Sequence, residues 1–264
     1  MLIIGEKINT TLKQAKEIVE RKDAKALQEL AKRQIDAGAS MVDVNVGTRI
    51  KTETEDMKWA IKTIQEALDV ACCIDSPNPE VLKAGLEVHR GKALINSTTA
   101  EKKRLEDVLA SIKNFDCKVV ALTMDDEGIP EDAEKRYRIA AGLIERLNRE
   151  GFALDDIYID PLIRPISTNS DSGKAVLDAI GKISTSFPGV HIICGLSNIS
   201  FGLPRRSLLN RVYLAMAMAK GLDAALVDPL DKDLMATIIS ARALLGEDEF
   251  CANYISSFRE GKLQ

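Results

Sequence analysis

The chain has 264 residues, of which 45% are hydrophobic and 29% charged, and a net charge of −4. This suits one globular domain of about 250 residues and excludes a basic nucleic-acid binder. A helical membrane protein is excluded too, because no apolar stretch reaches the roughly 18 residues of a span.

Eight short apolar runs recur along the chain, separated by enough sequence for helices. The first, 2–4, leads into Gly5-Glu6-Lys7-Ile8-Asn9. Glu6 and Lys7 interrupt any signal-peptide core, so a cytoplasmic location is expected. Leu27, Leu30, Ala31 and Ile35 then repeat at helical spacing before Gly38. The second run, 41–46 (MVDVNV), is followed by a helical stripe of Met57, Ala60, Ile61, Ile64, Ala67 and Leu68. The third, 71–74, ends at Asp75-Ser76, and Asn78-Pro79-Glu80 reads as a helix N-cap with proline in the first turn. The fourth, 93–95, ends at Asn96-Ser97-Thr98, and Thr98 to Glu101 has capping-box spacing ahead of Leu105, Val108, Leu109 and Ile112. The fifth run is 118–124. The sixth, 157–159, ends at Asp160-Pro161 and opens the longest loop, 162–173. The seventh, 190–194, precedes Gly195-Leu196-Ser197-Asn198 and a second long loop, 200–206. A stripe of Leu208, Leu209, Val212, Tyr213, Met216 and Ala219 closes at Gly221, and the eighth run, 224–227, ends at Asp228-Pro229.

Eight strand–helix units with polar strand exits predict an α/β fold, a single (β/α)8 TIM barrel over residues 1–264, with its site at the C-terminal face. The exits offer Glu6, Asn9, Asp43, Asn45, Asp75, Asn96, Thr123, Asp160, Asn198 and Asp228. That mixture of acids and amides suits a flat polar heterocycle carrying several N–H donors and ring acceptors. A Ser–His–Asp triad is not available, since His191 lies near the start of its strand, and Lys7 is the one lysine at an exit. A single Asp or Asn at such a tip is equally well explained as a cap on the next helix; Asp75, Asn96 and Asp160 taken together are not. Five cysteines without a CxxC pair favour free thiols. With two histidines, and with Cys72 and Cys73 on opposite strand faces, no zinc or other protein-bound metal is expected.

The stretches GEKIN (5–9), DVNVG (43–47), CIDSPNP (73–79), LINST (94–98), IDPLI (159–163), GLSNIS (195–200) and 208–228 resemble the methyltetrahydrofolate:corrinoid protein methyltransferases of anaerobic one-carbon metabolism. These belong to the pterin-binding barrel superfamily, and the resemblance spans essentially the whole chain in order. More distantly, the chain is similar to the folate module of cobalamin-dependent methionine synthase. The resemblance implies transfer of a methyl group between N5 of tetrahydrofolate and the cobalt of a corrinoid (cobalamin) carried by a partner protein. It implies that Asp75, Asn96 and Asp160 bind the pterin, with Glu6 and Asn45 beside them. Asn198 would face N5, with Asp75 and Asp160 available to the proton network, and Arg206 would touch the folate tail or the corrinoid. A transient corrinoid-protein complex and a homodimer are also implied, with 208–219 and 250–258 as contributing segments. Two other readings are a dihydropteroate-synthase-like condensation, for which strand 8 shows no cation at its exit, and a non-catalytic folate-binding or corrinoid-docking module. The direction of transfer is not readable from the sequence.

Overall fold

In the computed structural model, which describes residues 1–263, the strands close into one parallel barrel in the order β1 to β8. The elements run β1 (Leu2–Asn9), α1 (Lys13–Arg21), α2 (Ala24–Asp36), β2 (Met41–Asn45), α3 (Glu53–Ala67), β3 (Cys72–Asp75), α4 (Pro79–Leu86), β4 (Ala93–Thr99) and α5 (Lys102–Ile112). They continue with β5 (Cys117–Leu122), α6 (Ala133–Arg149), β6 (Ile157–Asp160), α7 (Ser172–Ser186), β7 (His191–Gly195), α8 (Arg206–Met218), β8 (Ala224–Val227), α9 (Lys232–Leu244) and α10 (Ala252–Arg259). The expected TIM barrel is the fold observed.

Strand side chains alternate between two faces, and the alternation builds the site. The lumen is filled by Ile4, Met41, Cys73, Leu94, Val120, Tyr158, Ile193 and Ala224. Two residues on from five of these, on the same face, stand Glu6, Asp43, Asp75, Asn96 and Asp160. The strand residues adjacent to these in sequence, Ile3, Val42, Ile74, Ile95, Val119 and Ile159, face outward into the larger core beneath the helices. Cys72 lies in that outer core while Cys73 lies in the lumen, as their adjacency demands.

Several local expectations hold for identifiable reasons. Asn78 Oδ1 accepts from the Glu80 amide at 3.0 Å, capping α4 with Pro79 in its first turn. Gly221 adopts φ +108 and ends α8, its amide donating to Met218 O and that of Leu222 to Ala217 O. The capping box at Thr98 does not form. Strand β4 extends to Thr99, leaving Thr98 buried within it, and it is Thr99 Oγ1 that accepts the Glu101 amide at 3.2 Å. A register shift between Asn96 and Thr98 lengthens this strand beyond its apolar run. Strand β1 is likewise longer than its run, with a shift between Gly5 and Ile8. There the Gln34 side-chain carbonyl accepts from the Lys7 amide at 2.9 Å, and a Cβ on residue 5 would meet that oxygen at 2.5 Å. Gly5 is therefore the residue that lets α2 brace the irregular end of β1.

Candidate active site

The mouth is assembled from neighbouring strand ends. Asn45, Asp75 and Asn96 are register partners across β2, β3 and β4, and Asn45 Nδ2 donates to Asp75 Oδ2 at 2.7 Å. Asn45 Oδ1 in turn accepts the Gly47 amide at 3.0 Å. Below them Asp43 is buried, faced by the Cys73 thiol and the Asn96 amide, and its Oδ1 has no hydrogen-bond partner among the described residues. Ser76 donates to Glu53 Oε1 at 2.6 Å, and Arg104 reaches from α5 to the carbonyls of Pro77, Ser76 and Ser97. The tips carrying Asp75 and Asn96 are thus tied together from behind.

Across the lumen, Asp160 Oδ1 accepts from the Leu162 amide at 2.7 Å. Asn198 sits in a 3-10 turn, Leu196–Ser200, with its side chain exposed. The two long loops brace one another: the Ile166 amide donates to Ile199 O at 3.1 Å, and Ser167 Oγ donates to Phe201 O at 2.7 Å. Arg206 donates to Ser197 O at 2.6 Å and to Ser200 Oγ at 3.1 Å, so it holds the turn that carries Asn198. Glu6 lies in the field of Asp228, Lys7 and Arg206. A small cavity of about 60 Å3, with room for water, opens among Glu6, Ser197, Asn210 and Asp228.

The electrostatics of this end are unusual. Burial pushes Asp160 up to about 7, opposed by the Leu162 and Gly195 amides and by Arg136. Burial pushes Glu6 up to about 7, aided by Asp228. Burial also pushes Asp75 up to about 6 against the Asn45 hydrogen bond, and it raises Asp43, where the Asp75 charge adds to it. Four carboxyl groups are thus kept from water at one end of the barrel, a concentration of acceptors whose chemistry suits N–H donors.

Of the residues singled out from sequence, Glu6, Asn45, Asp75, Asn96 and Asp160 line the lumen end, with Asn198 and Arg206 on the β7 loop. Asn9 does not join them: its Oδ1 accepts from the Thr11 amide and hydroxyl at 3.0 and 2.7 Å, which makes it a turn cap. The β8 exit does have a cation beside it, contrary to the reading of strand 8 alone. Lys7 comes across from β1 and pairs with Asp228 at 2.8 Å, so the couple is neutral overall. Asp43 belongs to the mouth but was absent from the expected ligand set. Its signal was the alternation of MVDVNV, which sets it on the face of Asn45.

Comparison with known proteins bears on the family and the fold. Residues 5–228 match the family model described as pterin binding enzyme. The chain is 37% identical over 268 residues to a methylcorrinoid:tetrahydrofolate methyltransferase of Eubacterium limosum, covering 100% of this chain and 98% of that protein. It is 32% identical over 240 residues to the methionine synthase of Mycobacterium tuberculosis, covering 86% of this chain but only 20% of that enzyme. Among solved structures, a dihydropteroate synthase of Burkholderia cenocepacia complexed with 7,8-dihydropteroate aligns with a TM-score of 0.70 at 19% identity, over 93% of each chain. One of Xanthomonas albilineans with 4-aminobenzoic acid also aligns at 0.70, with 18% identity over 93% of this chain and 92% of that one. Likeness at that identity concerns the barrel. The full-length relative and the family model together establish that this chain belongs to the pterin-binding enzyme family.

Proposed function

We propose that this protein is a methyltetrahydrofolate:corrinoid protein methyltransferase, a single pterin-binding barrel that exchanges a methyl group between N5 of tetrahydrofolate and the cobalt of a corrinoid. The observation that carries the reading is that Asp75, Asn96 and Asp160 stand at the ends of β3, β4 and β6, with an exposed Asn198 on the turn after β7, in a chain alike over its full length to a named enzyme of this activity. Carboxylates at Asp75 and Asp160 accept the paired N–H donors of a pterin, and the Asn96 amide both donates and accepts. Glu6 and Asn45 complete the rim. Arg206 orders the turn that bears Asn198 and meets the folate tail or the corrinoid.

The corrinoid is a substrate delivered by another protein, and its reduced cobalt supplies the nucleophile. In the step the C–N5 bond breaks and a Co–C bond forms, while N5 keeps the electron pair and gains a proton. A neutral tertiary amine leaves poorly, so stabilisation at N5 decides the rate. The Asn198 amide strengthens its hydrogen bond as N5 takes on the proton and so favours the transition state over bound substrate. The amide is too weak an acid to be the proton's source. Asp160, Asp75 and Glu6 titrate near neutrality and serve as that reservoir through water. The rest of the barrel holds N5, methyl and cobalt in line.

The enzyme acts in the cytoplasm as a homodimer that meets the corrinoid protein transiently. Leu208, Val212 and Met216, at 44%, 52% and 50% exposure, make one apolar stripe on α8 suited to a second copy. Incubation with 5-methyltetrahydrofolate and free cob(I)alamin, followed by absorbance, tests the reaction: methylcobalamin should accumulate, and methylcobalamin with tetrahydrofolate should run the reverse. Absence of both, with a pterin pyrophosphate consumed instead, would replace this reading by a condensation. Folate binding without transfer in either direction would leave only a docking module.

A further inference from the structure

Among the described residues, Arg136 is the largest completely buried side chain, yet its hydrogen bonds go only to main-chain carbonyls. It rises from the first turn of α6, on the face shared with Ala140, Leu143, Ile144 and Leu147. Nothing in that apolar packing calls for a cation, and burying a guanidinium without a carboxylate is expensive. Its contacts show what the cost secures. Nε donates to Pro161 O at 2.8 Å, one terminal nitrogen to Asp132 O at 3.2 Å, and the other reaches Leu162 O at 3.5 Å.

Pro161 O and Leu162 N belong to one peptide unit. Its oxygen faces Arg136, while its N–H, on the opposite edge, donates to Asp160 Oδ1 at 2.7 Å. Leu162 itself has φ +57, a left-handed conformation costly for a residue with a Cβ. We propose that Arg136 is a positioning residue for the pterin site, gripping the Pro161–Leu162 turn so that one peptide unit links a buried guanidinium to the Asp160 carboxylate and fixes its direction. The peptide dipole lies between cation and anion and is polarised by both, which strengthens the Leu162 hydrogen bond. The charge acts alongside the geometry. Asp160 is faced by the Leu162 and Gly195 amides and by Arg136, all of which oppose the upward push of burial, and Arg136 is itself faced by Asp132, Arg164 and Tyr213. Without the cation, Asp160 holds its proton to higher pH and ceases to be an acceptor.

This inference rests on the reading of Asp160 as a pterin ligand. Arg136→Met, Arg136→Lys, Asp160→Asn and the Arg136→Met/Asp160→Asn pair are compared with the wild type by calorimetric titration of 5-methyltetrahydrofolate from pH 6 to 9. Arg136→Met should raise Kd about tenfold at pH 8, the worth of one charge-assisted contact, and move the acidic limb of binding upward. Arg136→Lys keeps the charge but not the fork, so it should leave the limb in place with a smaller loss, and it carries the test if Arg136→Met does not fold. In the Asp160→Asn background, Arg136→Met should add less than about twofold. An additive loss in the pair, or an unmoved pH limb in Arg136→Met, overturns the proposal. NMR titration of the Asp160 carboxyl carbon without folate reads the same link independently: an upward shift in Arg136→Met supports it and an unchanged midpoint refutes it. A wild type that binds no folate, with the upward shift still present in Arg136→Met, would defeat the functional reading while leaving the link intact.

Discussion

The two ends of this barrel treat the same kinds of residue in opposite ways. At the base, His191 stacks on Tyr158 and lies between Asp223, 2.6 Å from Nδ1, and Asp155, 3.0 Å from Nε2. Both ring nitrogens meet carboxylates, an arrangement that only the imidazolium satisfies fully. Lys92 meets Asp156 at 2.7 Å and Asp116 at 3.0 Å. These pairings hold Asp155 below and His191 above their ordinary values. At the mouth the acids are pushed upward by burial, without cations enough to settle them. The base uses its charges to hold strands together, whereas the acids of the mouth have neutral hydrogen-bond donors for partners. Stability and function are thus separated along the strand axis, as barrel enzymes allow.

The contrast breaks most sharply at Asn198. Asn198→Ala should lower the methyl-transfer rate about a hundredfold, the scale of losing one transition-state donor, and change folate affinity far less; equal losses in both would make Asn198 a binding residue only. The next effect is on pH. With Asp160 near 7 and Asp75 near 6 in the free protein, protonation removes the acceptors, so folate affinity should fall as pH drops from about 8 to 6. A flat profile over that range would mean these acids are not the ligands.

Asp43 tests what the mouth costs. Its folded value is raised, so ionisation at neutral pH opposes folding, and that cost grows once pH exceeds the unfolded value near 4. Asp43→Asn should therefore raise the melting temperature by about 2–4 °C at pH 8 and by little at pH 4.5. A uniform change, or a loss at pH 8, would mean that ionising Asp43 does not cost the fold stability. His191→Gln is the smallest effect and the opposite in sign. The raised His191 contributes stability that is complete below about 6.5 and fades as pH rises through its folded value. The variant should lose about 1 kcal/mol or less in urea unfolding at pH 6 and almost nothing at pH 9.

Much of this was legible one strand at a time. The alternation Ile4–Glu6, Met41–Asp43–Asn45, Cys73–Asp75 and Leu94–Asn96 requires a lumen face that ends in polar groups, because strand side chains repeat every two residues. Asn78-Pro79 and Gly221 marked helix ends through purely local backbone chemistry. Strand lengths were less legible, because β1 and β4 run on through register shifts that no apolar run announces. Arg136 was not singled out from the sequence, because nothing local tells an arginine buried on the apolar face of α6 from one on a solvated face.

Tertiary structure alone decided which polar tips share a space. Asn9 turned back to cap its own loop, while Asp43 joined the mouth. Lys7 crossed from β1 to neutralise Asp228 at β8, a meeting of residues 221 apart in the chain. The Arg136 link to Asp160 likewise exists only because closure sets α6 behind the β6 exit. Local sequence determines periodicity and caps because those depend on bonds within a few residues. Charge pairing, burial and the resulting protonation of the mouth depend on which distant segments the closed barrel brings within reach.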